Sequence, residues 1–150
     1  MALDQQSLHT HFGQIWPIHT EAFCELLVAL RRQFDGDLDR MLVLAIIGAR
    51  TLSRGRIDGL SYDGLLSPDR DAKVDPAPIN LQSIADYSGI PRETVRRKIR
   101  DLERRGWIVK GDNGHLSVAP EAAHALAPAT EATLTYLLNV VRACNEATSE

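Results

Sequence analysis

Residues 80–108 read NLQSIADYSGIPRETVRRKIRDLERRGWI, and the order of caps, stripes and turns in this stretch decides the fold. Asn80 is a side-chain cap for a short helix through Leu81, Ile84 and Ala85, which stops at the Ser88-Gly89 turn. Ile90 and Pro91 lead into a second helix over 92–105. At 100° per residue, Val95, Ile99 and Leu102 fall on one stripe, whereas Glu93, Arg97, Arg100 and Arg104 point away from it. One face packs and the other is offered to a partner. Gly106 suits the left-handed position past a helix end, Trp107 to Val109 read as a strand, and Asp112-Asn113-Gly114 turns the chain into a return strand from His115 to Val118. Residues 79–119 are therefore expected to form helix, turn, helix, hairpin.

Charge singles out the same stretch. From Arg92 to Lys110 there are eight basic residues against three acids, while the other 131 residues hold nine basic residues and seventeen acids. A basic segment on an acidic body is the pattern of a protein that meets a polyanion with one surface, although a merely solvated charged helix has the same composition.

Outside this unit the chain reads as mainly α, giving a mainly α (α+β) class with helices flanking the helix-turn-helix-hairpin unit at both ends of a single 150-residue domain. In 14–53, Trp16-Pro17 suits a first helical turn, and Ala22, Phe23, Leu26, Leu27, Leu30 and Phe34 recur at helical spacing up to Gly36. Asp37 then caps a second helix, apolar on most sides and so central, that fades near Ser53. Residues 54–78, rich in Gly, Pro and Asp, read as a long surface connection. The 120–150 tail holds a short helical piece and, after Pro128, a longer helix. On it Leu134, Leu137, Leu138, Val141 and Cys144 form a narrow apolar seam, and Arg142 is the only charge between Ala132 and Asn145. A subunit interface through Leu134, Leu137, Leu138 and Val141 is expected; packing on the first helix of the same chain is the competing reading.

Several function classes are disfavoured. The longest apolar run, Met41 to Ile47, extends only to Ala49 between Arg40 and Arg50, well short of the ~20 residues of a bilayer span. The opening MALDQQSLHTHF has no basic or apolar leader region, so the expected location is the cytoplasm. Cys24 and Cys144 lie in apolar surroundings and are expected as thiols. His9, His11, His19, His115 and His124 lack companions at metal-ligand spacing, and the aspartates of the 54–78 segment lack calcium-loop spacing. There is no phosphate loop, dinucleotide fingerprint or G-x-S-x-G. No enzyme, metal or cofactor is expected.

The run from Asn80 to Ile108 resembles the winged helix-turn-helix of bacterial transcription regulators, and RETVRR at Arg92 to Arg97 is similar to the recognition helix of the cyclic-AMP receptor protein family. That resemblance implies base reading in the major groove of double-stranded DNA by Arg92, Glu93 and Arg97, with Asn80 and Gln82 near backbone phosphates or the groove edge. The chemistry agrees: an arginine fork matches G O6 and N7, and a carboxylate accepts from C N4. Arg96, Arg100, Arg104 and Lys110 supply positive charge for the phosphate backbone. Pro91 stands where the family has a hydroxyl cap, and the first 78 residues read as helices, so no cyclic-nucleotide barrel is implied. The overall layout is more like the multiple-antibiotic-resistance regulators, without the arginine of their wing.

The expectation is a homodimeric transcription regulator that binds duplex DNA sequence-specifically, with any small-molecule effector unassigned. The alternative is a winged-helix protein-interaction module or replication accessory. Glu93 and Arg97, one turn apart, form either an intrahelical ion pair or a joint reading head.

Overall fold

The computed structural model describes residues 3–53, 57–67 and 78–149. It groups into two compact units, one of residues 1–36 with 127–150 and one of 37–126.

In the first unit, α1 (Gln5–Thr10) is capped by Asp4, whose carboxylate accepts from the Ser7 amide, and α2 (Phe12–Gln33) follows after His11. The helix expected to start at Trp16-Pro17 begins at Phe12 instead, with Pro17 inside it. Pro17 has no amide to donate to the Gly13 carbonyl, so the helix gives up one backbone bond there. Phe12, in the turn the sequence left out, stacks on Trp16 with ring centroids 5.0 Å apart. At the other end Gly36, at φ +81°, donates to the Arg31 carbonyl and closes α2 as the sequence implied.

The partner of α2 is α8 (Ala127–Thr148), with Pro128 in its first turn. Ile15 packs with Val140, Cys144 and Ala147, whereas His19 and Phe23 meet Tyr136, so the two helices run antiparallel. Ile15, Ala22 and Leu26 on α2 and Ala129, Ala143, Cys144 and Ala147 on α8 are buried, small residues on α8 allowing close approach. Cys144 was expected in the leucine seam; it is buried beside Ile15 instead. Around the helix Cys144 falls between Leu137, about 20° away, and the buried Ala147, on the edge of the seam nearest α2. Cys24 and Cys144 are both free.

The second unit starts with α3 (Leu38–Thr51), where Asp37 Oδ1 accepts from the Arg40 amide at 2.9 Å. Val43 and Ile47 are fully buried, as expected of a central helix. The 54–78 segment was expected to lack regular structure; α4 (Tyr62–Leu66) corrects this, its first turn held by the Ser61 hydroxyl accepting from the Gly64 amide at 3.0 Å. Residues 54–56 and 68–77, with Asp69, Asp71 and Asp75, lie outside the described residues.

Then come α5 (Leu81–Ser88), α6 (Arg92–Arg104), the antiparallel strands β1 (Ile108–Lys110) and β2 (Leu116–Val118), and α7 (Ala122–Ala125). Ile84, Val95, Leu102 and Leu116 join Val43 and Ile47 as the most deeply buried side chains, so helix pair, hairpin and α3 share one core. Gly89 (φ +74°) turns the chain between α5 and α6, and Gly106 (φ +73°) releases it from α6, the Trp107 amide then donating to the Leu102 carbonyl. The Leu116 amide donates to the Ile79 carbonyl, tying the entry to α5 against the wing. The architecture is a mainly helical winged helix-turn-helix, as the sequence predicted.

Candidate nucleic-acid interface

Helix α6 carries three different surfaces. Taking the buried Val95 as zero, Glu93, Arg97, Arg100 and Arg104 lie about 140° to 200° around the helix, facing directly away from the core. All four are exposed. Lys98, Asp101 and Arg105 lie on one flank, about 240° to 300° around.

That flank is tied to α3. Lys98 Nζ donates to Asp37 Oδ2 at 2.7 Å, Arg40 forms an ion pair with Asp101, and Asp101 also meets Arg104 at 3.5 Å and Arg105 at 3.3 Å. Arg105 further lies over the Trp107 ring, 5.3 Å from its centroid. The basic run is thus sorted: Lys98 fastens the helix to its scaffold, Asp101 takes Arg40 from α3, and Arg104 and Arg105 lean on Asp101 within α6 itself. Sequence reasoning missed these ties. Their signal was present in the spacing of Lys98, Asp101 and Arg105 on one side, but it could not reveal that Asp37 and Arg40 stand opposite.

On the outward surface, Glu93 pairs with Arg96 rather than Arg97, at 3.5 Å, a charge contact without hydrogen-bond geometry at Arg96 Nε. The Arg97 guanidinium instead donates to the Thr94 hydroxyl at 3.4 Å. Among the described residues, no acid lies within ion-pair distance of Arg92, Arg97, Arg100 or Lys110. Arg92 is exposed at the start of α6, and Lys110 ends β1. Asn80 Oδ1 is occupied by the Ser83 amide and hydroxyl, leaving its NH2 as a donor, and Gln82 Nε2 donates to Asp86 at 2.8 Å. Pro91 offers no side-chain cap to α6. At the wing tip the Asn113 side chain accepts from the His115 amide, and Asp112 is the exposed charge.

Asp37 holds two elements at once. Burial pushes its carboxyl up, but the Lys98 hydrogen bond, the Arg40 amide and the charges of Lys98 and Arg40 outweigh that and hold it below the ordinary 3.8. The folded chain therefore binds this proton more weakly than the unfolded one. The resulting stabilisation is present above the ordinary carboxylate range and is lost as pH falls through the lowered folded value. Asp37→Ala, which removes a cap and an ion pair, is expected to destabilise the protein by about 1 to 3 kcal/mol at pH 7, and the loss should shrink at pH 3. Urea denaturation at the two pH values measures this; equal stability of variant and parent at pH 7 would dismiss the anchor.

Among the described residues no three His, Cys, Asp or Glu side chains gather as a metal set, and no helix is long and apolar enough to cross a membrane. Neither the curated proteins nor the solved structures contain a match to the chain. Residues 50–122, from the last turn of α3 through the hairpin, match the Crp-like helix-turn-helix domain, so the chain carries a helix-turn-helix module of the DNA-binding kind.

Proposed function

We propose that the protein is a sequence-specific transcription regulator that binds double-stranded DNA as a homodimer, α6 entering the major groove. The observation that carries this reading is the division of α6: its flank is spent on α3 through Lys98 and Asp101, while Arg97 and Arg100 stand on the opposite side with no described acid beside them. A helix held this way presents a preorganised row of guanidinium groups. Arg92, Glu93 and Arg97 read base edges; Asn80, Gln82, Arg96, Arg100, Arg104 and Lys110 hold the phosphates. The exposed leucine face of α8, formed by Leu134, Leu137, Leu138 and Val141, joins two copies so that two recognition helices meet half-sites one helical turn apart. The likeness in layout to the multiple-antibiotic-resistance regulators is supported only by the helices on either side of the winged unit.

Selection of binding sites from random duplexes tests the reading: a recovered consensus with two-fold symmetry is expected, and a pool without sequence preference would reject it. Salt supplies a further prediction. With about five to eight phosphates neutralised per subunit, log affinity should fall with log salt by about 0.9 for each contact. Arg100→Ala should weaken all sequences alike and flatten that slope by about one contact per subunit. Filter binding from 50 to 200 mM salt reads both; a flat salt dependence would exclude DNA as the ligand.

A further inference from the structure

We infer that the surface pairing two copies of this chain is built from both helices of the first unit, an aromatic stripe on α2 completing the leucine face of α8, so that the dimer core is a four-helix assembly of α2 and α8 from each protomer. This rests on the dimer reading above and adds to it residues that the sequence did not place in any interface.

In an antiparallel pair of right-handed helices, residues rotated in the same sense from the line of contact emerge on the same side of the pair. On α2, Phe12, Trp16 and Phe23 are rotated from the buried Ile15 by about +60° to +100°, and on α8, Leu137, Val141 and Leu134 from Ala129 and Ala147 by about +80° to +140°. Both sets therefore come out on one side. They are apolar and open: Phe12 is 52% exposed, Trp16 49%, Leu137 50% and Val141 52%. In those same sectors neither helix has a charged residue; Glu21, Glu25 and Arg32 of α2 and Glu131, Arg142 and Glu146 of α8 lie elsewhere.

The stripe is also stiff. The Phe12 and Trp16 rings stack at 19° between planes, Trp16 lies 4.9 Å from the His19 ring, and His19 lies 5.4 Å from Phe23. His19 Nδ1 and the Tyr136 hydroxyl share a hydrogen bond of 2.9 Å that fastens the row to α8. Aromatic rings already ordered lose little freedom on docking, which suits them as interface anchors.

Area and charge select the occupant. Taking about 200 Å² for a large apolar side chain, the exposed parts of Phe12, Trp16, Phe23 and the four α8 residues come to the order of 600 Å², at the top of what a monomer leaves open. With the half-buried Leu27 and Leu30 at its margin this approaches the ~800 Å² that each partner of a stable complex contributes. A lipid surface is a poor fit, because residues 3–30 contain no lysine or arginine to meet anionic headgroups. An uncharged face set against its own two-fold copy buries no unpaired charge, and the α8 part alone is too small for that task.

The test is sedimentation of the full chain at micromolar concentration, without DNA, with circular dichroism melting to verify folding. The parent is expected to be a dimer. Trp16→Glu should raise the dimer dissociation constant at least about 100-fold while the chain stays folded, since the side chain is half exposed within its own protomer. Val28→Glu, an equally exposed apolar position on α2 rotated away from this side, should leave the dimer intact. Phe12→Ala, which adds no charge, should weaken the dimer in the same direction. A folded Trp16→Glu dimer as tight as the parent overturns the inference while leaving the α8 interface standing. Dissociation by Val28→Glu as well as Trp16→Glu overturns the assignment of this side, and a monomeric parent overturns both the inference and the dimer reading.

Discussion

Arg97→Ala is expected to cost about 1 to 3 kcal/mol on the preferred operator, with discrimination relaxed at one G·C position and non-specific affinity falling much less. Had Glu93 been bonded to Arg97, the arginine would enter the groove only by giving up that partner, and its loss would change little. Glu93 leans on Arg96 instead, and Arg97 is held by a single long contact to the Thr94 hydroxyl. Its fork is therefore free to turn to G O6 and N7 at small cost. Glu93→Ala should relax a neighbouring position and raise non-specific affinity, because an acid facing phosphates is removed. Competition titrations against single-base operator variants measure both; an unchanged base preference in the two variants would reject the reading roles of Arg97 and Glu93.

Leu137→Asp is expected to have the larger effect on the whole protein, converting dimer to folded monomer and lowering operator affinity at least about 100-fold through loss of the second half-site. Unfolding is not the expected outcome, since Leu137 is 50% exposed in the single chain and the core of its unit is formed by Ile15, Ala22 and Leu26 against Ala129, Ala143 and Ala147. In the dimer the same carboxylate would be buried beside another copy's apolar face, which is costly for a charge. Leu138→Asp should act likewise. Sedimentation and operator binding on the same preparations distinguish the steps: a dimer that persists in both variants would remove α8 from the interface.

The sequence by itself determined the winged unit. Its local signals agree with one another: Asn80 as cap, Gly89 and Gly106 at left-handed positions, the Val95, Ile99, Leu102 stripe and the Asp112-Asn113-Gly114 turn each demand the same chain path, and each acts over only a few residues. The outward row Glu93, Arg97, Arg100 and Arg104 followed from the 100° step alone. The start of α2 was misplaced because Pro17 reads locally as a first-turn residue, whereas the helix carries it in its second turn, with Phe12 stacked on Trp16. The turn of helix at Tyr62 was hidden between Gly59 and Gly64, whose weak helix preference masks the Ser61 cap. Only the tertiary structure decided which members of the basic run are spent on the scaffold. That choice depends on Asp37 and Arg40, some sixty residues away in sequence, and charge pairing across such a distance has no period to read. Nor could spacing show that the aromatic stripe of α2 and the leucine face of α8 share one side, because that follows from the antiparallel approach of two helices more than a hundred residues apart.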